Sequence, residues 1–200
     1  AVCAYLARMD AFKTLTKQEP EIGPKKRWSS KGRFQELMFV EREDLVDTLA
    51  GAISDIVDNG AHLSHDVKQA LGYSFAEILG NAFYHANSNV PPLIAAQYYP
   101  ASDFIEVAIV DCGIGIRASL RKNPTNSAKV VTHADALLLS LERGVTGDPT
   151  PKHKGEGLFF SEKIVVASKG IFMLYSGDSF METSEKGRRT GESPLPWNGT

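Results

Sequence analysis

The apolar run Ile105-Glu-Val-Ala-Ile-Val110 leads directly into Asp111-Cys-Gly113-Ile-Gly115. That junction restricts the fold more than any other stretch of the chain. Apolar, largely β-branched residues over this length predict a buried strand. A strand that ends on an acid and turns through Gly-x-Gly brings bare backbone against whatever lies beyond its end. A carboxylate at that point can accept a hydrogen bond from a ligand amino group, and burial makes such a bond sharply discriminating. The sequence therefore predicts a ligand pocket at a strand terminus.

The surrounding pattern supplies helices and further strands. Val2, Tyr5, Leu6, Met9 and Phe12 recur at helical spacing, so 1–16 reads as an amphipathic helix followed by a loop over 18–33. Residues 34–40 fit a strand, and 44–57 a helix with Leu45, Leu49, Ile53 and Ile56 on one face. Ser64 is the expected N-cap of a long helix reaching about Ala86, its apolar side built from Leu71, Phe75, Ile78, Leu79 and Ala82. Strands over 93–99 and 105–110 flank the turn Pro100-Ala-Ser-Asp103. Beyond them come a helix over 134–143, a breaker-rich loop over 144–154, a helix over 157–168, a strand over 171–176 and a polar loop over 183–197. This order predicts an α/β two-layer sandwich, with helices on one face of a mixed sheet. Residues 1–33 read as a helix and linker ahead of a binding domain over 34–200, and both ends read as cut from a longer protein.

Two more stretches carry chemistry. Glu77, Asn81 and His85 are spaced one helical turn apart and stack along one face. Such a row on a core helix is either its solvent side or a ligand side, and phosphoryl transfer gives the second reading content. Magnesium takes hard oxygen ligands and keeps several waters, so the Asn81 amide oxygen suffices beside phosphate. Glu77 is spaced to orient or deprotonate an attacking water, His85 to touch a phosphate, and Gly80 leaves room for close approach. Gly155-Glu-Gly157-Leu158 precedes a predicted helix, whose first N–H groups and positive end favour phosphate oxygens. Lys152, His153 and Lys154, just upstream, either add charge there or simply solvate the loop.

In this order the three stretches resemble the N box and two glycine boxes of the GHKL ATPases: gyrase B, heat-shock chaperones, histidine and anti-sigma kinases, and MutL. The resemblance covers roughly residues 62 to 176. It implies a Bergerat-type fold that binds ATP and magnesium, with Glu77 as base and Asn81 on the metal. It further implies Asp111 on adenine, Gly113, Gly115 and Ile116 shaping the pocket and opening a lid, and His85, Lys154, Gly155, Gly157 and Leu158 at the phosphates. Thr200 matches a threonine that joins the aspartate at the adenine in gyrase-like members. Phe159 departs from the pattern, standing where many members carry a third glycine, which puts lid hinging and turnover in question. No phosphoacceptor hairpin is visible, so the likeness is to a stand-alone regulatory ATPase or anti-sigma-type kinase. The segment Gly155–Ser161 is also similar to ATP-binding proteins joined to STAS-like regulatory domains, which implies a protein partner. A nucleotide-gated interaction module with little turnover is the alternative.

A rival reading takes Gly113-Ile-Gly115-Ile-Arg-Ala118 as a dinucleotide fingerprint, G-x-G-x-x-A after a strand, and hence an NAD site. That needs a βαβ unit and an acid closing the next strand; Asp135 stands at a suitable distance but opens a helical pattern, and the Glu77 row is left without a purpose. Lys and Arg number 22 against 24 Asp and Glu, so no net positive field draws the chain to nucleic acid or an anionic membrane. The basic run Lys25-Lys26-Arg27 sits in a Pro/Gly/Ser-containing stretch and reads as a solvated linker. Two cysteines form no disulfide framework and point to a reducing, cytoplasmic setting. No run is long and apolar enough to span a membrane. His62 and His65 lack a third ligand nearby and are not read as a metal site.

Overall fold

A computed structural model of the chain describes residues 11–17, 32–60, 62–148, 155–197 and 199–200, with the side chains of Phe12, His85 and residues 194–197 left outside that description. Helix α1 (Ala11–Thr16) lies along strand β1 (Phe34–Phe39), where the Thr14 hydroxyl donates to Leu37 O at 2.9 Å. The rest of the predicted 1–16 helix is outside the described residues.

Helices α2 (Asp44–Gly60) and α3 (His65–His85) form an antiparallel pair on a sheet of β1, β2 (Leu93–Tyr99) and β3 (Phe104–Val110). Val46, Leu49, Ile53, Ile56 and Val57 of α2 meet Leu71, Phe75 and Leu79 of α3 above Ile94 and Ala96 of β2. Ser64 occupies the N-cap position of α3, yet its hydroxyl makes no capping bond. Helix α4 (Gly115–Arg121), the short α5 (Pro124–Ser127) and α6 (His133–Ser140) follow β3. Helix α7 (Gly157–Ala167) packs along α3 and leads into the hairpin of β4 (Phe172–Ser184) and β5 (Gly187–Trp197). A second core gathers Leu137 and Leu141 with Phe172, Leu174 and Met181, and Ile78 of α3 packs into it. Helix α3 thus serves both cores, leaving Glu77 and Asn81 half-buried between them. Among the described residues, no helix is long and apolar enough to cross a membrane.

The α/β layering follows the sequence expectation, and four details differ. The described strands form two antiparallel sheets, of order β1-β2-β3 and β4-β5, rather than one mixed sheet. The connections explain this: two helices between β1 and β2 bring the chain back reversed, and a turn as short as Pro100–Asp103 can join only antiparallel neighbours. Strand β3 is half-exposed, with Phe104, Glu106 and Ala108 on its open face, because helices cover only the other side. The stretch after Gly115, for which the sequence reading gives no element before residue 134, winds into α4 and α5.

The fourth difference is larger. The expected polar loop over 183–197 is mostly strand β5, paired with β4 from Ser184↔Gly187 to Gly177↔Trp197. Its two arginines, though exposed, make ion pairs. Arg189 bridges Glu182 across the hairpin at 2.7 Å, and Arg188 Nε reaches Glu162 of α7 at 3.0 Å. Glu162 is only 1% exposed, so this pair latches the hairpin to α7.

Candidate functional site

Helix α3 presents Glu77 and Asn81 on the face that meets the amino end of α7. A Cβ built on Gly157 would stand 3.1 Å from Glu77 Oε2 and 3.4 Å from Asn81 Nδ2. The absence of a side chain at Gly157 therefore sets how closely the two helices approach there. The α7 N-cap, Glu156, makes no side-chain capping bond; its carboxylate takes the Arg143 guanidinium at 2.9 Å instead. The first intrahelical bond is Phe160 N–H to Glu156 O at 2.9 Å, so the amides of Gly157, Leu158 and Phe159 precede the ladder. The amino end of α7 thus lies beside an amide and a carboxylate, a set of groups that could hold an anion with a bound cation.

Gly155 pinches the base of the preceding loop. Its φ is +62°, its carbonyl accepts the Gly144 N–H at 3.0 Å, and a Cβ there would fall on the Val145 carbonyl. The outgoing end is held as well: Thr146 O accepts from the side-chain amides of Asn123 at 3.1 Å and Asn126 at 3.0 Å. Lys152, His153 and Lys154 lie outside the described residues, as does the His85 side chain. Leu158 and Ile116 pack against the second core, and Phe159 meets Phe160 edge-on with Lys163 over its ring.

The strand-end motif sits at the far end of α3. Gly113 passes so close to Ala86 that a Cβ would fall inside the Ala86 carbonyl, and Ile114 N–H donates to that same oxygen at 2.9 Å. Ala86 is five residues beyond Asn81, roughly 7.5 Å along the helix axis at 1.5 Å per residue. The Asp111 turn and the Glu77/Asn81/Gly157 junction are thus strung along one helix. Asp111 is only 8% exposed, and its Oδ1 accepts the Gly113 N–H at 2.7 Å. Burial pushes its carboxyl above the usual aspartate range, while the N–H groups of Gly113 and Thr200 pull it partly back.

Gly199 and Thr200 complete this end. Asp111 N–H donates to Thr200 O at 2.7 Å, and a Cβ on Gly199 would fall on the Asp111 carbonyl. Ser176 of β4, which sequence reasoning passed over, donates to Gly199 O at 2.8 Å and accepts the Ile116 N–H at 3.0 Å. A buried serine in a strand gives no local signal of such a role. Asp135, the acid that a dinucleotide fingerprint would require, closes a capping box with Thr132 through bonds of 2.7 and 3.0 Å. His62 faces Asp103 at 3.3 Å on the surface. Among the described residues, no three His, Cys, Asp or Glu side chains cluster to hold a metal. No family model matches the chain, and comparison with curated proteins and with solved structures finds no match in either.

Proposed function

We propose that this chain is a cytoplasmic, GHKL-type regulatory domain with a Bergerat-type fold, which binds Mg-ATP and either hydrolyses it slowly or passes its phosphate to a protein partner. The observation that carries this reading is the contact of Gly157 with Glu77 and Asn81, at the uncapped amino end of α7 and on the helix that also abuts the Asp111 turn. Supporting it, the Asp111 turn abuts α3 at Ala86, and Gly157 meets the same helix at Asn81 and Glu77. Asp111 accepts the adenine amino group, the first amides of α7 bind the terminal phosphates, and the Asn81 amide oxygen holds magnesium. Magnesium, when bound, neutralises phosphate charge. Glu77 orients a water or hydroxyl and takes its proton.

Thermal unfolding tests the site. A ligand that binds only the native state should stabilise it by about 2.7 kcal/mol at a hundredfold excess over Kd. The expected result is a magnesium-dependent rise in Tm with ATP and none with NAD. A rise with NAD alone would return the Gly113-x-Gly115 turn to a dinucleotide reading.

Glu77→Ala separates an enzyme from a nucleotide-gated interaction module. As an enzyme, the variant should keep the ATP-induced Tm rise and lose about 10²-fold in phosphate release. An unchanged rate removes Glu77 as the base. Phe159, ringed by Phe160 and Lys163 at a position where many GHKL members carry glycine, favours slow turnover over fast.

A further inference from the structure

We infer that Ser176 is a positioning residue for adenine specificity, acting through Gly199 and Thr200 on Asp111; this rests on the adenine reading of Asp111. Three segments meet around its hydroxyl: β4 itself, the start of α4 and the Gly199–Thr200 end. Ser176 is 1% exposed, so a bond it fails to make is not replaced by bulk water. Its Oγ accepts the Ile116 N–H at 3.0 Å in the first turn of α4 and donates to Gly199 O at 2.8 Å. A Cβ on Gly115 would stand 2.9 Å from the same Oγ, so α4 begins directly against it. Thr200, the next residue after Gly199, accepts the Asp111 N–H at 2.7 Å, and its own N–H faces the Asp111 carboxylate.

The bonds close a ring from Asp111 through Thr200, Gly199, Ser176 and Ile116 back along the Gly113–Gly115 turn. Only a hydroxyl serves at position 176, because it must donate to a carbonyl and accept from an amide at once. Gly199, with φ +125°, has no side chain of its own to fix it. Ser176 therefore sets where Thr200 stands, and Thr200 sets how the buried carboxylate faces its ligand. Without the hydroxyl, the carboxylate keeps its bond from Gly113 and loses the fixed wall opposite. Adenine and guanine differ at the very edge an Asp111 oxygen would read, so a loosened wall costs discrimination before it costs phosphate binding.

The test compares Ser176→Ala and the parent by two readouts. The first uses Mg-ATP and Mg-GTP affinities, with about a tenfold fall in the ATP-over-GTP preference expected. The second needs no nucleotide. Hydrogen exchange at the Asp111 amide should quicken by about tenfold in the variant, while the β2–β3 ladder keeps its protection. If Ser176→Ala does not fold, Ser176→Cys, which fills the space with a weaker donor, should show both changes at smaller size. An unaltered ATP-over-GTP ratio, or exchange that quickens uniformly across the domain, overturns the positioning role and leaves Ser176 a structural hydroxyl. Equal affinity of the parent for ATP and GTP overturns the adenine reading itself, and the specificity role with it.

Discussion

Asp111→Asn is expected to lower ATP affinity by roughly 10³-fold while leaving the ligand-free protein within about 1 kcal/mol of the parent. The two halves of that result have one cause. Asp111 is buried at the end of β3, and burial raises its carboxyl above the ordinary aspartate value. An amide keeps an oxygen for the Gly113 N–H and removes the charge that the fold disfavours. It also puts a donor where an acceptor is needed, so the adenine amino group meets N–H instead of oxygen. The pH dependence follows with a definite sign. With its native value above its unfolded one, Asp111 binds more proton in the folded state between the two. Its contribution to stability is therefore fully present below the unfolded value and is lost as pH rises through the native one. ATP affinity runs the other way, falling as acid protonates the acceptor. Urea titrations of parent and variant from below the usual aspartate value upward isolate this group, since the pH dependence it contributes should be absent from Asp111→Asn. An ATP affinity within tenfold of the parent would remove Asp111 from the adenine.

Much of this arrangement is legible in residues that are close in sequence. The four-residue spacing of Glu77, Asn81 and His85 fixes a helical face, and Gly-x-Gly after Val110 fixes a turn. Both signals are local, arising from helix periodicity and glycine stereochemistry. What escapes is the part set by partners distant in the chain. Arg188 and Arg189 look like loop residues until Glu162, twenty-six positions away, and Glu182 receive them. Strand β5 carries one cross-strand charge pair, Arg189 with Glu182, and no alternation of apolar residues to find. The exposure of Glu106 and Ala108 on β3 depends on helices packing one face only, and a six-residue apolar run cannot report that. Ser176 is invisible for the same reason: both its bonds go to backbone sixty and twenty-three residues away. Two antiparallel sheets in place of one mixed sheet likewise follow from how connections reverse the chain, which element order alone does not state.

Gly113→Ala should be strongly damaging for so small a substitution, and it distinguishes a glycine kept for packing from one kept for flexibility. Gly113 does not sit in the left-handed region, unlike Gly115 at φ +74°, so backbone strain is not the issue. Space is. The added methyl would fall inside the Ala86 carbonyl, which is backbone and cannot swing aside as a side chain can. To admit it, the turn must lift from the end of α3, breaking the 2.9 Å bond from Ile114 N–H to Ala86 O. Overpacking of this kind costs about 3 kcal/mol and the hydrogen bond about 1 kcal/mol more. For a chain of this size the sum corresponds to a fall in Tm of roughly 10 °C. Gly51 supplies the control. It lies in α2 with nothing within 4 Å of an added Cβ, so Gly51→Ala should stabilise by about 0.5–1 kcal/mol through helix propensity alone. If differential scanning calorimetry shows Gly113→Ala melting within about 2 °C of the parent, the clamp between the Asp111 turn and α3 is not held as described. The two ends of the proposed nucleotide site would then not share one helix, and the assignment of Asp111 and Asn81 to a single ligand would lose its geometric basis.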